Sequence, residues 1–409
     1  MQEGELAPEA EAPVNPYSLL EAVNSASDTV NTAWLLFLGV MSYLLITAAG
    51  VTHKDLLLNN EIPLPILQVK IDLARFFFFA PIILVLFHAG VVSQMVLLAR
   101  KALEFDVAIR LLESSERRSH PLRLELDNYF FVQAIAGPDR SRVMSSFLHG
   151  MVWLTVVFLP VLILLYIQVV FLPYHDVTIT TAHRVALFAD IVLLCTIGTF
   201  LARSENSFYR TFHRTVRSHP GTTMTTAVLL VPVALFSMFV ATIPGERLDR
   251  ITDLVRGRTT PAFAQRSETG SITGFVVPFL RPSPDGSLFG LFYRNLVVTD
   301  LDLVPDSQVQ AGEASLNLRG RDLRYARLDR TDLHQADFTG ADLEGASFIN
   351  ADLRNVFMGC ADLDSLLLRE DRVGGKCTDA RFANFSRARM NEAKMAGVDA
   401  RGATFSFAT

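Results

Sequence analysis

The chain has 409 residues, of which 50% are hydrophobic, and a formal net charge of −5. It is too apolar for an average soluble protein and too polar to lie wholly in a bilayer, so we expect a membrane part and an aqueous part. The acidic balance argues against a nucleic-acid-binding protein, which needs a broad cationic face for phosphates. Cys195, Cys360 and Cys377 lack the spacing and flanking histidines of a metal site, and no cofactor is predicted.

Residues 1–30 are predicted to form an acidic tail. They contain six acidic residues and neither Lys nor Arg. A cleavable signal peptide begins with a basic segment. The first apolar span is therefore expected to stay attached as a membrane anchor.

Five apolar stretches follow the tail. A helix that crosses a bilayer needs about 20 mostly apolar residues, because in lipid each backbone polar group must bond within its own segment. The predicted spans are residues 31–50, 74–99, 150–173, 183–202 and 223–243. Residues 31–243 are thus predicted to be an α-helical transmembrane bundle, with the lipid bilayer as its first partner.

The connections between these spans differ in their content of Lys and Arg. Residues 100–149 hold eight, the connection after the fourth span adds four Arg, and residues 174–182 hold none. Basic connections face the cytoplasm. An odd number of spans then places the C-terminal region outside, in the periplasm if the membrane is a bacterial inner membrane. Four Arg residues between 247 and 258, directly after the fifth span, favour the opposite orientation.

A polar group lies near the third and fourth spans. His175 follows the third span, His183 and Arg184 begin the fourth, and Asp190 lies seven residues deeper on the same helical face as His183. An ionisable residue within a span indicates a functional site, with His183 or Arg184 as the predicted partner of Asp190. Three interpretations are open: a polar clamp between helices, a proton-coupled or ion-conducting site, or a metal site that also includes Asp176.

Residues 244–294 are predicted to be a linker, because their Gly, Pro, Ser and Thr residues are typical of loops. Apolar and polar residues alternate at the start of residues 295–315, and the rest of this range is mostly polar. This pattern suggests a cap for the domain that follows. The domain boundary is placed in this linker.

From residue 316 to 409 the chain has a period of five. Large apolar residues recur every five positions, and the residue two before each is mostly small and apolar. Neither the period of a helix nor that of a strand produces this spacing, so the chain must turn a corner every five residues. Four such sides close a coil of about 20 residues, and the coils stack at about 4.8 Å. The predicted core positions are Leu318, Leu323, Leu328, Leu333, Phe338, Leu343, Phe348, Leu353, Met358, Leu363 and Leu368.

Segments 341–345 (Ala-Asp-Leu-Glu-Gly) and 351–355 (Ala-Asp-Leu-Arg-Asn) are typical of this pattern. The pattern resembles the pentapeptide-repeat family, which implies an all-β right-handed quadrilateral β-helix. The segment Phe-Leu-Pro-Tyr-His at 171–175, with His183, Arg184 and Asp190 after it, also resembles uncharacterised bacterial membrane proteins that carry such repeats. That second resemblance implies a family without implying a mechanism.

The repeat frame is interrupted near residues 369–378 and then resumes in a second register. The interruption is interpreted as a loop that leaves one corner, or alternatively as a recognition loop. The apolar end formed by Phe405 and Phe407 suggests end-to-end pairing into a homodimer, because open solenoid ends must be capped or paired.

The function predicted from these patterns is a membrane-anchored scaffold that presents the solenoid to an unidentified protein partner. Some soluble family members resemble duplex DNA and shield topoisomerases, but that role needs an acidic rod. Residues 312–409 contain fifteen acidic and fourteen basic residues, so DNA mimicry is not expected. The chain lacks the common catalytic motifs, and no enzyme is predicted. The alternative is a channel or proton-coupled transporter in which the solenoid assists assembly or sensing.

Overall fold

The computed structural model describes residues 15–64, 69–112, 120–201, 220–248, 292–304, 313–360 and 377–409. The chain forms two compact units. The first comprises Met1–Tyr43, Ile83–Leu162 and Ala189–Leu230, and the second comprises Leu44–Ile82, Ile163–Phe188 and Val231–Thr409.

The N-terminal part is helical. The helices are α1 Pro16–Ala49, α2 His53–Leu58, α3 Leu73–Leu112, α4 Phe130–Ala136, α5 Arg142–Val152, α6 Leu159–Phe171, α7 Val177–Leu201 and α8 Pro220–Phe239. A π-helical turn, Trp153–Phe158, joins α5 to α6, and short 3₁₀ turns lie at Pro121–Arg123 and Leu172–Tyr174. Strands β1 Glu61–Leu64 and β2 Val69–Asp72 pair antiparallel, with Glu61 opposite Asp72.

Four stretches of helix are long and apolar enough to cross a membrane: Pro16–Ala49, Leu73–Leu112, Arg142–Tyr174 and Val177–Ile197. They are compatible with a multi-pass membrane protein and correspond to the first four predicted spans. The first begins within the predicted acidic tail, at Pro16. The fifth predicted span, residues 223–243, overlaps α8, whose 20 residues extend about 30 Å and which ends at Phe239. That α8 crosses the bilayer stays a prediction.

The basic connection after α3 is folded around one buried arginine. Arg123 is fully buried and donates to the Asp106 carboxylate at 2.7 Å and to the Ala136 carbonyl at 2.8 Å. Ser27 of α1 donates to Asp127 in the same connection. A buried charge is tolerated only when it is paired and hydrogen-bonded, so these contacts fix the connection in one conformation.

The C-terminal part is a four-sided stack of coils. Parallel backbone bridges join residues twenty positions apart, such as Asn317 with Asp337 and Asp322 with Asp342. The predicted core side chains from Leu318 to Met358 are all buried, with at most 2% of their surface exposed. Leu363 and Leu368 lie outside the described residues.

Local chemistry explains each corner of a coil. One residue in five adopts a left-handed backbone, as Gly320 and Asn350 do with φ of +63° and +57°. Where an Asp precedes a core residue, its side chain accepts a hydrogen bond from the backbone N–H two residues later, as Asp337 does from Thr339 at 2.9 Å. Both features are typical of tight turns, and Gly or Asn fills several of the left-handed positions, although Tyr325, Arg330 and Gln335 adopt the same backbone.

The described part of the predicted cap belongs to the same stack. Val297 pairs with Arg327 and Asp302 with Asp332, both in parallel. Three of the cap's apolar side chains are buried, as those of the core positions are: Leu296, Val298 and Leu303. The stack therefore begins before residue 316.

The interruption is closed by a disulfide between Cys360 and Cys377. After it, Asp379 pairs with Asp342 and Lys394 with Phe357. Ala380 and Phe385, both fully buried, thus occupy the core positions that a strict period of twenty assigns to Leu363 and Leu368. Phe385 stacks on Phe348 at 5.2 Å between ring centroids, which restores the core column.

Candidate functional site

Among the described residues, three separate sites contain Asp190, Arg184 and His175, and the fourth predicted residue, His183, bonds outside all three. Asp190 of α7 pairs with His88 of α3, with 2.6 Å between Oδ1 and Nδ1, and neither side chain is exposed. The other ring nitrogen of His88, Nε2, lies 2.9 Å from the carbonyl oxygen of Val156. Val156 is in the π-helical turn, a feature that is frequent at functional sites.

The number of protons in this pair follows from its geometry. The Val156 carbonyl can only accept, so Nε2 of His88 must carry a proton. A 2.6 Å contact between Nδ1 and Oδ1 requires a second proton between them, whether it is assigned to His88 or to Asp190. The pair is neutral in either case, which reduces the cost of its burial. Oδ2 of Asp190 has no hydrogen-bond partner among the described residues.

The prediction that Asp190 pairs with His183 or Arg184 was wrong. His183 and Asp190 lie on one face of α7, but seven residues separate them by about 10 Å along the axis, beyond hydrogen-bond reach. His183 Nε2 instead donates to the Phe77 carbonyl at 2.7 Å. The spacing indicates a shared face and cannot indicate which neighbouring helix supplies the partner.

Arg184 forms the second site. Its guanidinium donates to Glu246 at 2.6 Å and to the carbonyl of Ala241 at 2.9 Å, just beyond the end of α8. A cation at a helix C-terminus satisfies carbonyls that have no partner within the helix. The Arg184–Glu246 pair therefore ties α7 to the end of α8.

His175 forms the third site, within the second unit. Nδ1 lies 3.3 Å from Oδ1 of Asp322 in the solenoid, and Nε2 lies 3.1 Å from the carbonyl of Arg294. Burial opposes the ionisation of Asp322, but the charge of His175 and the hydrogen bonds from Arg324 outweigh it, so the pKa of Asp322 lies below its usual range. His175, His183 and Asp190 thus have separate partners, and the structure does not bring them together as one set of metal ligands.

Further bonds join the solenoid to the helical part of the second unit. Arg321 donates to the carbonyls of Leu56 and Leu57 at 3.1 and 3.3 Å, and its guanidinium lies 4.2 Å from the centre of the Tyr174 ring. Arg321 occupies an inward position that is mostly Ala elsewhere, and this departure from the repeat was the only sequence signal for the contact. His53 accepts from the backbone of Val297 at 3.0 Å.

One face of the solenoid carries a group of carboxylates. Asp342, Glu344 and Asp379 each place an oxygen within 4.8 Å of the other two. Burial, followed by the charge of Asp322, raises the pKa of Asp342 to about 6. Burial also raises the pKa of Glu344. Negative charge is therefore concentrated on this face.

Comparison with known proteins agrees with the repeat assignment. Residues 317–364 and 378–408 match the pentapeptide repeat family in eight copies. No curated protein is significantly similar to the chain. The C-terminal part is thus a pentapeptide-repeat β-helix, as predicted.

Three solved structures resemble the solenoid. A pentapeptide repeat protein from the Arabidopsis thaliana thylakoid lumen is 26% identical, and the match covers 27% of this chain and 61% of that one, with a TM-score of 0.18. A pentapeptide repeat protein from the cyanobacterium Cyanothece is 19% identical over 29% of this chain and 71% of that one, with a TM-score of 0.13. HetL of the cyanobacterium Nostoc, involved in the regulation of heterocyst differentiation, is 21% identical over 27% and 52%, with a TM-score of 0.10.

Proposed function

We propose that this protein is a membrane-anchored scaffold that presents a pentapeptide-repeat solenoid to a protein partner. The observation that carries the proposal is the set of bonds from the first coils to the helical part of the second unit, through Arg321, Asp322 and Arg294. A scaffold on a loose linker would need no such bonds. Bonds at several points give the solenoid a fixed orientation, and a preorganised surface loses less entropy when it binds a partner.

The segments that contact the solenoid support a periplasmic location. Contacts come from α2 after the first span, from His175 after the third, and from Thr242 after α8. If five helices cross in alternation, these three connections share one side. The basic connections 100–149 and 203–222 then share the other, cytoplasmic side. The Cys360–Cys377 disulfide agrees with this orientation, because disulfides persist in oxidising compartments outside the cytoplasm.

The scaffold is tested by crosslinking in native membranes. A photo-reactive amino acid is placed at Phe382, which is 47% exposed in the later coils. The matched control carries it at Leu36 of α1, which is 60% exposed on an apolar helix. We expect a discrete protein adduct from position 382 and none of that mass from position 36. The same adduct from both positions, or no adduct from position 382, would contradict the proposal that the solenoid binds a protein partner.

A second copy of the chain is one partner that the solenoid end could bind. Phe405 and Phe407 are 40% and 83% exposed, and Phe405 continues the stacked column of Phe385 at 5.1 Å. Pairing of two such ends would cover both apolar surfaces. Phe407→Asp is expected to halve the native mass measured in detergent, and an unchanged mass would exclude this homodimer.

The buried His88–Asp190 pair favours a second candidate function, proton-coupled transport or ion conduction. The pair joins ionisable side chains of α3 and α7, and one carboxylate oxygen has no partner among the described residues; ionisable residues inside a span are typical of proton pathways. Asp190→Asn should abolish proton flux in liposomes that contain the full chain, whereas Asp176→Asn outside the span should leave it unchanged. A folded wild-type protein that carries no flux would leave the pair with a purely structural role.

A further inference from the structure

A column of aspartates runs along one face of the solenoid. Each pairs through its backbone with the next, and the members are Asp322, Asp342, Asp379 and Asp399. In three of these four coils the residue two positions later is an arginine that binds the aspartate beside it. These pairs are Arg324 with Asp322, Arg381 with Asp379 and Arg401 with Asp399. The usual unit of this face is therefore a carboxylate with its own cation.

The coil of Asp342 breaks this rule. Glu344 stands where the other coils have arginine, so this coil adds a second carboxylate and no cation. Only 7% of the surface of Glu344 is exposed, and its Oε1 has no hydrogen-bond partner among the described residues. A buried carboxylate oxygen without a donor costs free energy unless something binds it.

The charges near Glu344 do not balance. Arg324 makes its short contacts to Asp322 and lies 3.4 Å from Asp342. Arg381 binds Asp379 at 2.7 Å and reaches Glu344 at 3.4 Å. Asp342, Glu344 and Asp379 thus share one guanidinium that is directed mainly at them. Among the described residues, neither Asp342 nor Glu344 has a guanidinium nearer than 3.4 Å, so this group carries excess negative charge that a bound cation would offset.

The distances fit a cation with oxygen ligands. An oxygen of each carboxylate lies within 4.8 Å of the other two. Calcium binds oxygens at about 2.4 Å, so oxygens on opposite sides of the ion are about 4.8 Å apart. Magnesium, which binds oxygens at about 2.1 Å, also fits this separation, but it keeps several waters and usually takes only one or two carboxylates, so a group of three carboxylates favours calcium. Three carboxylates without Cys or His exclude a preference for soft metals.

We propose that Asp342, Glu344 and Asp379 form a calcium site that joins two successive coils. The site lies where the ladder passes across the Cys360–Cys377 disulfide, since Asp342 precedes the interruption and Asp379 follows it. The ion would therefore hold together the coils on either side of the interruption. By comparison with extracellular calcium modules, we expect a dissociation constant on the order of 0.1–1 mM.

The test is calcium binding by the full chain. The protein is purified in a nonionic detergent, treated with a chelator and studied by equilibrium dialysis with radioactive calcium. Wild type is expected to bind one ion per chain. Glu344→Gln should weaken binding at least tenfold, because it removes a ligand charge with little change of shape. Asp352→Asn, which removes a carboxylate paired with Arg354 on another face, should leave binding unchanged.

Glu344→Arg gives the decisive comparison. It restores the Asp-x-Arg unit of the other three coils, so this variant should fold, lose calcium binding and no longer gain thermal stability from added calcium. Binding by Glu344→Arg at the wild-type affinity, or no binding by wild type up to about 10 mM calcium, well above the expected range, would overturn the site. Tighter binding of magnesium than of calcium would overturn the assignment of the metal.

Discussion

Single side chains fix the orientation of the solenoid, and Asp322 is the clearest case. Its carboxylate is buried and receives bonds from both His175 and Arg324. The solenoid repeat alone would place an exposed aspartate here. His175 lies in the helical region, so this contact joins the two parts. Its strength depends on the ionisation of Asp322, because a protonated carboxyl is a weaker hydrogen-bond acceptor.

Asp322 should therefore contribute stability in a defined pH range. Its pKa is lower in the folded protein than in the unfolded chain, so its contribution is fully present above the unfolded value, about pH 4, and is lost as the pH falls through the folded value. Asp322→Asn is expected to lower stability by about 1.5–3 kcal/mol at pH 7. Calorimetry of wild type and variant should show this difference constant from pH 5 to 7 and smaller below pH 4. A difference that grows as the pH falls would contradict it.

Some residue positions could be predicted from the sequence, and others could not. The core positions from Leu318 to Met358 follow from the five-residue period, because each repeat is determined by its own neighbours. The partner of Asp190 does not follow, because His88 lies on another helix and a helical period indicates only a face. Arg321 was a recognisable exception to the repeat, but its partners are backbone carbonyls, which any sequence carries.

Among the elements, the coil after the interruption is the point at which the solenoid depends on a tertiary contact. The five-residue frame continues through Leu363 and Leu368, so the pattern alone favours an unbroken ladder to residue 368. The described ladder instead passes from Cys360 to Cys377 and places Phe385 in the core. A local five-residue period cannot reveal this path of the ladder, because it depends on a contact between two cysteines that are distant in sequence and meet only after folding.

Phe385 should be essential to this coil. Its ring is fully buried between Phe348 and Phe405, at 5.2 and 5.1 Å. Phe385→Ala leaves a cavity in the column and is expected to cost about 3–5 kcal/mol of stability. Leu301→Ala, at a position that is 39% exposed in the first coils and away from the solenoid end, is the control and should cost less. Pulse proteolysis of the two purified full-length variants compares them, and equal losses would show that Phe385 is not part of the core.

For the whole molecule, the proposed periplasmic location of the solenoid depends on how many helices cross the membrane. The alternation of five helices and the disulfide favour the periplasm, whereas the four Arg residues after the fifth span favour the cytoplasm. The five-helix count depends on α8, whose described apolar segment, Thr223–Phe239, is the shortest of the five.

Reporter fusions decide between the two orientations. Alkaline phosphatase fused after Thr409 should be active, because it needs an oxidising compartment to form its disulfides. A fusion within residues 100–149 should be inactive there, and a fluorescent protein at the same two sites should give the opposite result. A fluorescent C-terminal fusion with inactive phosphatase would place the solenoid in the cytoplasm.

The Cys360–Cys377 disulfide also has a practical consequence. It brings the two ends of the intervening sequence side by side, with 3.7 Å between the Cα atoms, while the ladder continues past them. The pairing of successive coils therefore does not depend on the number of residues between the two cysteines. A foreign peptide could be grafted in its place, and the disulfide would hold both of its ends together on the stacked coils.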